Sequence, residues 1–144
     1  MSHQMRSHET PHPPVTSLPG LRTGWLPHRW SQLPPFLEYL APDDIRLCSV
    51  VKSELYYGAY KSTRRDRNLA NLNRFFSQFI SLSFDDNAAA IAGQVRAQLD
   101  VVGTPIGSNH LLIAAIALSN DLTLVTHNTR EFGRINGLRY EDWE

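Results

Sequence analysis

The chain of 144 residues has one cysteine, Cys48. A single thiol excludes an internal disulfide and any zinc site built from several cysteines. Cys48 reads as a buried small hydrophobe, and it fits a reducing, cytoplasmic setting. Net charge is also lacking, because 14 Lys and Arg balance 14 Asp and Glu. That balance argues against a strong nonspecific grip on nucleic acid but leaves room for a local basic patch. No apolar run approaches the roughly 20 residues of a membrane span. The N-terminus lacks a cationic start followed by an apolar block, so neither a secretory leader nor a membrane partner is expected. Residues 1–35 contain no aspartate, and Glu9 is their one acidic residue.

What is present divides unevenly. Seven of the nine prolines and four of the six histidines lie in residues 1–35. Pro11-His12-Pro13-Pro14 and Leu33-Pro34-Pro35 cannot occupy a helix interior or a central strand. Residues 1–35 therefore read as a proline- and histidine-rich segment, extended or disordered over 1–30. Trp25 and Trp30 are its candidates for contact with the body. No metal site is expected among its histidines.

Residues 36–144 read as the folded domain. Phe36 to Leu40 suggests a short helix end before the Pro42-Asp43-Asp44 turn. The alternation from Ile45 to Ser49 predicts a strand, and Ser49 a helix N-cap for a run to Tyr60. Asp66 opens a second helix with Leu69, Leu72, Phe75, Phe76 and Phe79 on one stripe. Ile80, Leu82 and Phe84 alternate as a second strand. Asp85 caps a helix burying Ala88, Ile91, Val95 and Leu99, which Gly103 and Pro105 end. Ser108 caps a helix that is apolar nearly all round from Leu111 to Leu118, and such a helix is buried. Leu122 to Thr126 is a further strand, and Leu138 to Tyr140 a short last one. Strands alternating with helices predict an α/β fold, a parallel sheet flanked by helices.

Sites in such sheets form beyond the carboxyl ends of the strands. Three stretches qualify: Ser49 to Glu54, Gly107 to His110, and Thr126 to Phe132. Taken singly, their polar residues are bland. Glu54 and Glu131 read as solvated charges, His110 as a satisfied histidine and Asn128 as a turn residue.

Several ordered stretches together carry more. They are Ser49-Val-Val-Lys-Ser-Glu-Leu-Tyr-Tyr-Gly58, Gly103-Thr-Pro-Ile-Gly107, Leu112-Ile-Ala-Ala115, Leu124-Val-Thr-His-Asn-Thr-Arg-Glu-Phe132 and Gly137-Leu-Arg-Tyr-Glu-Asp-Trp143. Lys61-Ser62 and Arg67-Asn68-Leu69 fit between them. From Pro34 to Trp143 the chain resembles the PIN-domain toxins of VapC-type toxin–antitoxin pairs. The resemblance implies a Mg²⁺- or Mn²⁺-dependent endoribonuclease that cuts RNA such as initiator tRNA. It also implies a cognate antitoxin and a homodimer.

Four acidic positions form the cluster that the resemblance implies, because Mg²⁺ is a hard cation that takes oxygen ligands. Glu54 matches the second. The third is an aspartate at the start of the buried helix, and this chain has His110 there. Thr126, Asn128 and Glu131 match the fourth region. The implied catalytic residues are thus Glu54, Thr126, Asn128 and Glu131, with Glu54, His110 and Asn128 as metal ligands. The first position is an aspartate ending an N-terminal central strand, which residues 1–35 lack. The central strand is therefore expected to be missing or replaced. Imidazole suits Zn²⁺, Ni²⁺ or Cu²⁺ better than Mg²⁺, so weak Mg²⁺ binding and impaired cleavage are expected. Arg130, Lys61, Arg64, Arg65 and Arg67 are the expected contacts to RNA phosphates. The alternatives are a catalytically dead PIN module that binds antitoxin or RNA, or a non-functional remnant.

Overall fold

The computed structural model describes residues 25–27 and 44–142. Expectations for Trp30, for the helix end at Phe36 to Leu40 and for the rest of 1–35 lie outside them. Ten elements follow one another. They are β1 (Trp25–Pro27), β2 (Arg46–Cys48), α1 (Ser49–Lys61), α2 (Arg65–Phe76), β3 (Ile80–Leu82), α3 (Asp86–Val102), α4 (Ser108–Ser119), β4 (Thr123–Val125), α5 (Thr129–Phe132) and β5 (Tyr140–Glu141).

All strand pairing among them is parallel, as the alternation predicts. β2 pairs with β3, and β4 is flanked by β1 and β5. The strands thus form two sheets, β2-β3 and β1-β4-β5, and β1, at the edge of the second, lies close to β2 and so stands between them. The central place is therefore filled. Trp25, Leu26 and Pro27 stand opposite Thr123, Leu124 and Val125. Leu26 is fully buried. Three residues suffice for this replacement strand, although Pro27 has no N–H to give to a neighbour.

Two apolar clusters cover the sheet. The larger joins Leu26 and Leu124 to Val51, Val95, Leu99, Ile113, Ile116 and Phe132. The smaller gathers Ile45, Leu47, Phe76, Phe79 and Val125. α4 is buried at every position from Ile113 to Ala117, as its all-round apolar sequence requires. Asp85 caps α3 by accepting the Ala88 N–H at 2.9 Å. Gly103 ends that helix at φ 73°, a left-handed conformation that glycine adopts without a Cβ clash. The Thr104 N–H closes the turn on the Leu99 carbonyl at 3.0 Å.

Local corrections concern helix starts. Cys48, not Ser49, is the N-cap of α1. The Ser49 hydroxyl instead donates to the Leu82 carbonyl at 3.2 Å, tying α1 to the end of β3. α2 begins at Arg65, one residue before Asp66, and ends before Phe79, which joins the smaller core from the turn that follows. Gly107, not Ser108, is the N-cap of α4. No described helix is long and apolar enough to cross a membrane.

Candidate functional site

The carboxyl ends of β2 and β4 and the first turn of α4 converge on one group of polar side chains. β2 runs straight into α1, which puts Glu54 in the second turn of that helix. β4 delivers Thr126, whose side chain is buried, and then the Asn128 turn into α5. The Asn128 N–H donates to Thr126 Oγ1 at 2.9 Å, and Asn128 Oδ1 accepts the Glu131 N–H at 3.3 Å. This local network starts α5 and aims Glu131 back toward α4.

Glu131 Oε1 lies 2.8 Å from His110 Nδ1 and accepts the Gly107 N–H at 3.1 Å. A helix N-terminus favours an anion, and this one has no side-chain cap of its own, so Glu131 supplies the missing acceptor from another element. That is why Ser108 is not needed as a cap. The hydrogen bond with His110, and after it the Gly107 N–H, hold the Glu131 carboxyl below the usual glutamate range. Gly107 leaves room for this arrangement, since a Cβ there would come within 3.2 Å of His110 Nδ1. The His110 ring also lies against Phe132, with centroids 5.4 Å apart, and Phe132 is fully buried.

The residue before His110 holds the second carboxylate. Asn109 Nδ2 donates to Glu54 Oε2 at 3.1 Å. Successive residues in one helical turn thus tether Glu54 and Glu131. The structure brings together five of the expected residues: Glu54, His110, Thr126, Asn128 and Glu131. Asn109 is an addition from within the Gly107 to His110 stretch. So is His127, whose Nδ1 lies 3.2 Å from Asp142 Oδ2 beyond β4 and β5. Its place between Thr126 and Asn128 is the signal that could have drawn attention to it.

The basic residues divide. Arg130 is exposed on α5, next to Glu131 in sequence. Lys61, Arg64, Arg65 and Arg67 form a separate exposed group where α1 turns into α2. There Lys61 Nζ lies 4.9 Å from the Tyr57 ring centroid, and Arg65 Nε donates to the Tyr60 carbonyl at 3.3 Å.

Mg²⁺ and Mn²⁺ are hard divalent cations. Such an ion takes oxygen ligands and depends on summed carboxylate charge. Among the described residues, no group of three or more His, Cys, Asp or Glu side chains is arranged to hold a metal. Glu131 Oε1 already has two hydrogen-bond partners, and His110 presents nitrogen. These residues do not fit a Mg²⁺ or Mn²⁺ ion.

Residues 31–138 match the PIN domain family. Over 97 residues the chain is 47% identical to the tRNA(fMet)-specific endonuclease VapC of Shigella flexneri, covering 67% of this chain and 74% of that protein. It is 38% identical over 109 residues to Ribonuclease VapC2 of Rickettsia felis, covering 75% and 81%. Among solved structures, the DNA-bound VapBC of Salmonella typhimurium superposes with a TM-score of 0.75 at 35% identity. That match covers 84% of this chain and 98% of the other.

Proposed function

Because the chain belongs to the PIN-domain family, in its VapC-type branch, we propose that it is a toxin-type RNA-directed protein, held by an antitoxin, with a weakened hydrolytic centre. The ribonuclease names of its relatives and its similarity to VapBC complexes support the first two parts. One observation carries the third. At the start of α4 an imidazole stands where the family pattern has a carboxylate, and it engages Glu131 at 2.8 Å. The Mg²⁺- or Mn²⁺-dependent chemistry of the family needs carboxylate oxygens turned toward the ion. This chain turns one of them inward. At the limit the protein is a PIN module that binds antitoxin or RNA without cutting, and the closed His110–Glu131 pair favours that end of the range.

The substrate class is RNA, and the relative from Shigella points to tRNA. Arg130, exposed and next to Glu131 in sequence, is the phosphate contact of this reading. The Lys61, Arg64, Arg65 and Arg67 group supplies salt-sensitive, sequence-independent attraction. The working assembly is a homodimer bound by antitoxin. Coexpression with a cognate antitoxin, followed by light scattering, tests the partner. A stable complex is expected from both the natural chain and His110→Asp, because the centre is not what the antitoxin needs. A folded chain that fails to bind its antitoxin would contradict the reading.

A further inference from the structure

The exposed face of α1 carries two tyrosines that the core does not use. Tyr56 is accounted for: its hydroxyl donates to Asn73 Oδ1 at 2.9 Å, and its ring meets Phe76 edge-on at 5.3 Å. Tyr57 and Tyr60 are different, at 64% and 57% exposed. Side chains three apart on a helix are surface neighbours, about 5–6 Å between Cβ atoms. Gly58, between them, is exposed, and a Cβ there would meet nothing within 4 Å. The surrounding charge is positive. Lys61 Nζ lies 4.9 Å from the Tyr57 ring centroid, and Arg64, Arg65 and Arg67 follow, against the one acidic residue of that turn, Asp66.

Position along the helix adds direction. Glu54, Tyr57 and Lys61 occupy successive turns of one face, spanning about 10 Å at 1.5 Å per residue. The face therefore runs from the candidate centre, where Asn109 holds Glu54, to the basic turn. Its outward residues are Ser53, Glu54, Tyr57, Gly58, Tyr60 and Lys61, with no aliphatic side chain among them. A helix that docks in an apolar groove needs apolar anchors at i, i+3, i+4 and i+7, and from Glu54 this face offers Glu54, Tyr57, Gly58 and Lys61. Stacked bases need flat rings flanked by cations.

We propose that Tyr57 and Tyr60 form a stacking platform for unpaired RNA bases, with Lys61 and the Arg64–Arg65 turn gripping the phosphates between them. The platform rests on the reading of the protein as RNA-directed, and it makes that recognition selective for single-stranded segments. A strand lying on it would lead toward Glu54.

Binding of the full chain to a fluorescent single-stranded 12-mer RNA, and to the same strand with abasic residues, tests this. The natural chain should prefer the intact strand by about tenfold or more, within the range for stacking on aromatic rings. Tyr57→Leu with Tyr60→Leu should lose that preference and keep the salt dependence, and the double Phe variant should retain both. Circular dichroism and antitoxin binding report the fold of each variant. Equal binding of intact and abasic strands by the natural chain would overturn the platform alone. So would a Leu variant that binds RNA normally and loses only the antitoxin, which would assign the face to protein. Failure of the natural chain to bind either strand would overturn both the platform and the RNA-directed reading. Tyrosine-dependent RNA binding without antitoxin binding would leave the platform standing and sink the toxin reading.

Discussion

Glu131 does two jobs that a sequence does not separate. As an acid in the fourth region of the family pattern it looks like part of a metal centre. In the fold its Oε1 caps the start of α4 and meets His110. Its folded pKa is lowered. A carboxyl with a lowered folded value stabilises the protein fully above its unfolded pKa, near 4.3, and loses that contribution as pH falls through the folded value. Glu131→Gln should therefore lower the melting temperature by a few degrees at pH 7, as loss of charge-assisted hydrogen bonds does. The deficit should shrink toward pH 3. Thermal melts across that range check it, and a deficit independent of pH would show that the carboxylate charge is irrelevant. Cys48 gives a second residue-level prediction. Burial pushes its thiol pKa up, and the side chain is fully buried. It should resist iodoacetamide in the native protein and react once the chain is unfolded in guanidinium. Fast native labelling, read by mass spectrometry, would contradict its placement.

At the scale of elements, β1 is the test of how the sheet is completed. Leu26 is fully buried and pairs opposite Leu124. Leu26→Ala should cost about 2–5 kcal/mol, the usual range for deleting a buried leucine. Chemical denaturation measures it, and a change under about 0.5 kcal/mol would mean that residues 25–27 do not belong to the core. The sequence hid this strand for a physical reason. Trp25-Leu26-Pro27 is too short to show alternation, and prolines crowd the segment around it. Longer elements were legible because their signals are local. Asp85 and Gly103 bracket α3 by cap chemistry alone, and the apolar run of α4 announces its burial. Helix starts were less so. Ser49 and Ser108 look like caps, but tertiary partners decide: Leu82 takes the Ser49 hydroxyl, and Glu131 comes 24 residues along the chain to cap α4. The candidate site divides in the same way. Glu54, Asn128 and Glu131 were legible through the ordered stretches they sit in, and His110 through its place at the start of the buried helix. Asn109, which holds Glu54, could not be singled out within its stretch, because its role exists only across 55 residues of chain.

For the whole molecule, the fold and the chemistry point in different directions. The parallel strands, the buried α4 and the match over residues 31–138 make a PIN domain. The proposed weakness of its centre rests on two positions: His110 stands at the start of α4 where the family pattern implies an aspartate, and residues 1–35 hold no aspartate at all. Groups that act as a unit are not additive, so restoring one returns little. Loss of an essential electrostatic group costs on the order of 10²–10³ in rate. A PIN fold with a weakened centre is tested by cleavage of labelled initiator tRNA in Mg²⁺ or Mn²⁺. The natural chain is run beside His110→Asp and an active VapC-type relative. The natural chain should cut at least about 100-fold more slowly than the relative, and His110→Asp should recover only a small part of the difference. Cleavage by the natural chain at the relative's rate, abolished by EDTA, would contradict it.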